Sequence, residues 1–227
     1  MIEHYIQKEI IDSLASASSL RFSELKPKQL ESNAFLYHIN LLLKQGLIEK
    51  HESKYRLSNK GLVYVDSLSF STHSPRKQPK VSVIFAINNT RGDWLFARRK
   101  YQPYIGKLML ISGKRHFGES PEVHVKRELI EKTGLSIETT RRGLADIRIY
   151  RGKTLITHIM ANVYTGCLDN DLLPPSTHQF DYIWANLNDV RMQLVAGTSE
   201  LLHELTVSPA PLFLSLDVQD SDTRVER

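Results

Sequence analysis

Residues 113–135 read GKRHFGESPEVHVKRELIEKTGL. Ser120-Pro121 is a helix start: a hydroxyl to cap the first free N–H groups, then a proline where its missing N–H costs nothing. Thr133-Gly134 ends the same helix. At about 100° per residue, Glu128 and Glu131 lie about 60° apart, with Arg127 and His124 on the same side. Val125 and Leu129 flank this polar stripe on one side, Val123 and Ile130 on the other. A surface helix has one apolar face and one broad polar face. A narrow charged stripe between two apolar flanks instead predicts a helix wedged into a core, its charges facing a cleft. Carboxylates held there need a partner, and a divalent cation is the obvious one. Lys132, directly after Glu131, lies about 40° around the helix from Glu128 and brings a positive charge to the same place.

The stretch resembles the signature of the Nudix family, G-x5-E-x7-R-E-U-x-E-E-x-G-U with U a bulky aliphatic residue. Gly113, Glu119, Arg127, Glu128, Leu129, Glu131, Gly134 and Leu135 supply it at matching spacing. WLFARRK (94–100) and FDYIWANLNDV (180–190) are similar to the family's flanking strands, so the resemblance covers residues 80–205. It implies an α/β/α sandwich with a mixed sheet. In active members the box glutamates bind Mg²⁺ or Mn²⁺ and help activate a water that cleaves a diphosphate joined to another moiety. The metal neutralises phosphate oxygens and lowers the pKa of bound water. Carried over, the resemblance implies Glu119, Glu128 and Glu131 as metal ligands, Glu119 being auxiliary or a structural hydrogen-bonding partner. Glu128, Glu131 and Arg127 would form the catalytic set, with Arg127 orienting Glu128.

Two departures from the pattern matter. The second glutamate of the pair is Lys132, and the approach, often L-P-G-G-K-x-E-x-G-E, reads LISGKRHFGE (110–119). Ile111, Ser112 and His116 replace a proline, a glycine and an acid. A protonated lysine does not ligate, so weakened metal binding and slow or absent hydrolysis are expected. Glu119, Glu128 and Glu131 with one ion would be the rescue, His116 serving as ligand or base; a loop histidine bonded to backbone is the simpler reading of His116. Lys132 also complements the helix dipole. Arg98, Arg99, Lys114 and His116 are the candidate contacts for a ligand's phosphates, with Lys100 beside them. Tyr101, Tyr104 and Phe117 are candidates for stacking on a base, although packing explains them as readily.

Outward from the box, VSVIFAI (81–87) and WLFARRK read as strands around the turn NNTRGD (88–93). DIRIYR (146–151), LITHIMANVYTG (155–166) and FDYIWANL (180–187) read as further strands, and TSELLHEL (198–205) as a helix. Strands surrounding an early helix indicate a mixed α/β domain. The polar, two-proline stretch SFSTHSPRKQPK (69–80) reads as a linker.

Before it the pattern is helical. Ile2, Ile6, Ile10, Ile11 and Leu14 fall at helix spacing, and SASS closes that helix. Ser23 caps a short helix, SELKPKQL, interrupted by Pro27. SNAFLYHINLLLKQ (32–45) predicts a third helix with Phe35, Leu36, Ile39, Leu42 and Leu43 buried, stopped by Gly46. LIEK and KYRLS, joined by HES, are strand-like, and SNKGLVYVDSL (58–68) returns to helix. This is the layout of a winged helix-turn-helix, and YHINLLLKQGLIEKHESKYRLSNKG (37–61) resembles bacterial and archaeal winged-helix regulators. The resemblance implies that Asn33, Tyr37, His38, Asn40 and Lys44 enter the major groove of DNA, while Lys50, Lys54 and Arg56 on the wing meet phosphates. A winged helix used for protein contacts or dimerisation is the alternative.

The whole chain is therefore expected to be α/β with four parts: a winged helix-turn-helix (1–70), a linker (71–80), a Nudix-like domain (81–208) and a polar, frayed C-terminal tail (209–227). At 227 residues it has room for two small domains. No apolar run is long enough to span a bilayer, and MIEHYIQKEII lacks the layout of a signal peptide. The single cysteine, Cys167, cannot form an internal disulfide, and no Cys/His cluster has zinc spacing. A cytoplasmic location without membrane partners is expected. The net charge of +5 with a pI near 9.2 is concentrated at the start, where residues 1–80 carry twelve Lys and Arg against eight Asp and Glu. That asymmetry suits a nucleic acid. Three functions follow. The first is a winged-helix, DNA-binding regulator, a homodimer, whose Nudix-like domain senses a nucleotide-type diphosphate metabolite. The second is an active Mg²⁺-dependent pyrophosphohydrolase of nucleoside diphosphate-X compounds, its winged helix serving dimerisation or targeting. The third is a protein-binding adaptor.

Overall fold

Ser120 accepts a hydrogen bond from the Val123 N–H, Pro121 opens the helix, and Gly134 closes it in the left-handed conformation at φ +69°. The computed structural model in which these caps are seen describes residues 2, 4–69 and 74–220. It divides into two compact units, Met1–Gln78 and Pro79–Arg227.

In the first unit the elements run α1 (Tyr5–Ala15), β1 (Leu20–Arg21), α2 (Phe22–Leu25), α3 (Ser32–Lys44), β2 (Ile48–His51), β3 (Lys54–Leu57) and α4 (Asn59–Asp66). The strands form an antiparallel sheet in the order β1-β3-β2, so β2 and β3 make the wing. Ile6, Ile10, Ile11 and Leu14 of α1 close over Leu25, Phe35, Ile39, Leu42, Ile48 and Tyr55. The helix expected through SELKPKQL stops at Leu25: Lys26 precedes Pro27 and is extended at ψ 118°. Gly46, at φ +71°, terminates α3 where a side chain would be strained. The expected stripe of α3 is corrected at one position, since Leu36 is exposed and His38 takes its place in the core. Phe35, Ile39 and Leu42 set the buried direction. At about 100° per residue His38 lies roughly 65° from its centre and Leu36 more than about 90°.

In the second unit the elements are β4 (Lys80–Asn89), β5 (Trp94–Arg99), β6 (Leu108–Lys114), α5 (Pro121–Thr133), β7 (Thr140–Arg151), β8 (Thr154–Leu168), β9 (Phe180–Ala185), α6 (Leu187–Val190), α7 (Thr198–Val207) and β10 (Leu212–Gln219). They build a seven-stranded mixed sheet in the order β10-β7-β8-β4-β6-β5-β9, parallel at β10/β7 and β8/β4 and otherwise antiparallel. Val83, Phe85 and Ile87 of β4 face Val125 and Leu129 of α5, while Ile84 and Ala86 face the α7 side with Leu201, Leu202 and Leu205. The result is an α/β/α sandwich. Val123 and Ile130, expected in a core, are 56% and 55% exposed, so α5 buries one face and not two.

The tail expected over 209–227 is also corrected. Leu212, Leu214, Leu216 and Val218 recur at every second residue, and β10 adds to the sheet edge parallel to β7. Gly143 admits this approach, because a Cβ there would lie 1.8 Å from the Leu212 carbonyl oxygen. Asp220, its side chain 1% exposed, then takes Lys107 Nζ at 2.5 Å and Arg151 Nη2 at 2.7 Å. Residues 221–227 of the expected tail and 71–73 of the expected linker lie outside the described residues. The rest of that linker is partly structured, with Pro75 bridged to Leu68 and Lys80 opening β4. No helix among the described residues is long and apolar enough to cross a membrane.

Candidate functional site

β6 and α5 meet where Gly113 faces Glu128. A Cβ on Gly113 would lie 1.6 Å from Glu128 Oε2, so only a glycine leaves room for this carboxylate. His124, 2% exposed, fastens the helix to the strand through Nε2 and the Gly113 carbonyl at 3.1 Å. Between them the loop 115–119 turns Glu119 back toward α5.

Arg127 is the hub. Its Nε and Nη2 donate to Glu119 Oε1 and Oε2 at 2.6 and 2.9 Å. Its Nη1 donates to Glu128 Oε1 at 2.8 Å and to Glu131 Oε2 at 3.0 Å, and Nη2 also reaches the Lys114 carbonyl at 3.2 Å. One guanidinium thus holds all three expected metal ligands together, and the pairing raises its own pKa. The Arg127 hydrogen bonds, with the His116 N–H on Oε2, bring the Glu119 pKa down to about 2. Both Glu119 oxygens are therefore occupied, which favours the structural role over that of an ion ligand. Glu128 is 4% exposed, and its Oε2 has no hydrogen-bond partner. Glu131 is half exposed.

Lys132 does not turn to Glu128. Its Nζ donates to Gln179 Oε1 at 3.1 Å and stands 5.8 Å from the centroid of the Phe180 ring. Gln179 and Phe180 sit at the start of β9 and, with Lys132, line a cleft of about 510 Å³. Lys80, Arg99, Lys114, Arg127 and Lys132 line this cleft, with Glu128 and Glu131 as its two carboxylates and His116 at its edge. Tyr104, whose hydroxyl donates to Thr157 Oγ1 at 2.9 Å, belongs to the lining with Ile149, Ile159 and Val195. Tyr101 is there too, with the Arg99 guanidinium 4.2 Å from its ring centroid. Burial, then the charges of Lys114 and Arg99, lowers the pKa of Lys80. Crowded cations of this kind favour an anion.

A divalent cation fits this arrangement poorly. The unpartnered Oε2 of Glu128 is the one feature that invites one. Against it, Arg127 already occupies the carboxylates, and the cleft carries more positive groups than negative. Among the described residues no cluster of three or more His, Cys, Asp or Glu is placed to hold an ion.

Of the expected phosphate contacts, Arg99, Lys114 and His116 line the cleft. Arg98 is corrected: it points away, donating to the Gly106 carbonyl at 3.0 Å and to Gln193 Oε1 at 3.2 Å, because alternate residues of a strand face opposite ways. Lys100 is tied to Asp181 at 2.7 Å. Phe117 is 95% exposed and not part of the cleft lining. Lys80 and Gln179 were missed. Lys80 opens β4, whose pairing with β6 sets Ser82 opposite Lys114, a long-range neighbourhood with no local signal.

In the first unit Asn33, Tyr37, Asn40 and Lys44 share one exposed face of α3, and Lys50, Lys54 and Arg56 are exposed on the wing, Arg56 paired with Glu49 at 2.7 Å. His38 is corrected as a DNA contact. It is buried and stacked on His4 with ring centroids 4.1 Å apart, and burial lowers its pKa.

A family model described as NUDIX domain matches residues 77–205. Among solved structures, the chain is similar to the MutT protein from Methanosarcina mazei Go1 at 25% identity, over 59% of this chain and 96% of that one, with a TM-score of 0.48. It is similar at 18% identity to the NUDIX domain of Shewanella oneidensis NrtR complexed with ADP ribose, over 64% and 96% of the two chains, with a TM-score of 0.48. A MutT NUDIX hydrolase from Burkholderia pseudomallei is 26% identical over 57% of this chain and 99% of that one, with a TM-score of 0.48. No curated protein matches the chain.

Proposed function

Because the matched residues 77–205 make up more than half of it, the chain belongs to the Nudix family, and from that premise we propose that it is a ligand-responsive DNA-binding regulator. Its Nudix domain takes up a nucleotide-type diphosphate, and its winged helix binds DNA as a homodimer. The observation that carries the reading is the composition of the cleft, in which Lys80, Arg99, Lys114, Arg127 and Lys132 face only Glu128 and Glu131. That lining favours holding an anion over assembling a metal centre. A volume of about 510 Å³ suits a nucleotide-sized molecule. The exposed row of Asn33, Tyr37, Asn40 and Lys44 on α3, with cations on the wing, supports the DNA half of the proposal. Dimerisation follows from the two-fold sites such domains read.

The test is selection of bound sequences from a random duplex pool by the full chain, with and without nucleoside diphosphates and nucleotide sugars. Selective, salt-sensitive binding that one ligand class shifts is the expected result. The competing hydrolase reading rests on the unpartnered Glu128 Oε2. Robust phosphate release from the same compounds with Mg²⁺ or Mn²⁺, abolished by Glu128→Gln, would establish that reading instead.

A further inference from the structure

Among the described residues, Lys80, Arg99, Lys114 and Lys132 form no ion pair with a carboxylate, whereas Arg127 gathers Glu119, Glu128 and Glu131 to itself. Lys132 is moreover held in place by a neutral partner, Gln179, and by the Phe180 ring. Its ammonium lines the cleft and stays available to a ligand. We infer that this cleft binds the diphosphate group directly, without a divalent cation, with Lys132 and its three neighbours supplying the positive charge that a metal ion would otherwise bring.

The inference rests on the reading of the cleft as the ligand site and deepens it. The physical reason is charge balance. Lys80, Arg99, Lys114, Arg127 and Lys132 carry five positive charges against the three carboxylates that Arg127 gathers, and a diphosphate arriving alone offsets that positive excess. One arriving with Mg²⁺ brings two further positive charges among them, where Arg127 already bonds to each box carboxylate. Burial, and after it the charges of Lys114 and Arg99, lower the pKa of Lys80, in keeping with cations gathered in one place.

Calorimetric titration of the full chain with inorganic pyrophosphate and with ADP, each in excess EDTA and in excess MgCl₂, tests it. Both probes share the diphosphate; tighter binding of ADP would add a contribution from the nucleoside. Wild-type protein should bind in EDTA, and Mg²⁺ should weaken binding. Lys132→Met should lose about tenfold in EDTA, the size of one charge-assisted contact. Lys132→Glu should lose more in EDTA and recover part of it with Mg²⁺, a crossing that general unfolding does not produce. Tryptophan fluorescence melts establish that both variants are folded. Binding by wild-type protein that vanishes in EDTA and returns with Mg²⁺ overturns the inference and leaves the ligand site standing. Absence of binding to both probes in both conditions overturns the site and the inference together.

Discussion

Replacing Gly113 by alanine probes the contact on which the box is assembled. The new Cβ would lie 1.6 Å from Glu128 Oε2 and 1.9 Å from its Cδ, distances no atom pair tolerates. Glu128 is 4% exposed and its other oxygen is held by Arg127 at 2.8 Å, so the carboxylate cannot step aside into water without breaking that pair. A Gly→Ala change at a φ that alanine accepts stabilises by about 0.4–1 kcal/mol through the unfolded chain. Overpacking of a filled site costs about 1–3 kcal/mol. The net expectation is a loss of about 1–2 kcal/mol, or roughly 2–8 °C in melting temperature for a domain of this size.

The assay is equilibrium urea unfolding followed by tryptophan fluorescence. The two tryptophans, Trp94 and Trp184, both lie in the second unit, so their signal reports that unit. The same substitution is made in a Glu128→Ala background, where the space beside residue 113 is open. There its cost should disappear, giving a coupling of about 1–2 kcal/mol between the positions. Equal cost in both backgrounds, or none in either, refutes the claim that Gly113 is required to seat Glu128.

Other expectations follow from single contacts. Because the Glu119 pKa is lowered from 4.5 to about 2 by Arg127, its contribution to stability is present above pH 4.5 and is lost as the pH falls toward 2. Acid unfolding of Glu119→Gln should accordingly be flatter than wild type across that window, and parallel curves would refute the assignment. Phe35, fully buried in the first unit, should cost about 3–5 kcal/mol on truncation to alanine, seen as early loss of helical circular dichroism while the tryptophan transition stays in place. On the proposed DNA-binding reading, Lys54→Ala should reduce the salt dependence of DNA binding by about one unit in slope. His38→Ala should instead lower the melting temperature of the first unit, since its ring packs on His4 and does not face outward.

The box and its helix were legible because they depend on local chemistry. Ser120, Pro121 and Gly134 set the ends, and Arg127, Glu128 and Glu131 fall together on any helix of that register. The burial of His38 over Leu36 was also open to reading, since Phe35, Ile39 and Leu42 define a direction that His38 approaches more closely. β10 was hidden for a different reason. Its recurrence of Leu212, Leu214, Leu216 and Val218 at every second residue is a strand pattern, but it runs into a polar terminus that reads as frayed.

The direction of Lys132 was not legible at all, because its partner Gln179 lies 47 residues away in the chain and meets it only through the sheet order. Helix spacing placed Lys132 beside Glu128, where its charge would stand in for part of a metal ion's. Tertiary structure separates the two, giving Arg127 to the carboxylates and Lys132 to Gln179. The two readings differ in what they leave exposed to a ligand. Neutralisation within the helix would leave a damaged metal site with little charge. The observed pairing leaves Lys80, Arg99, Lys114 and Lys132 lining the cleft with no carboxylate ion pair among the described residues, a lining that favours an anion.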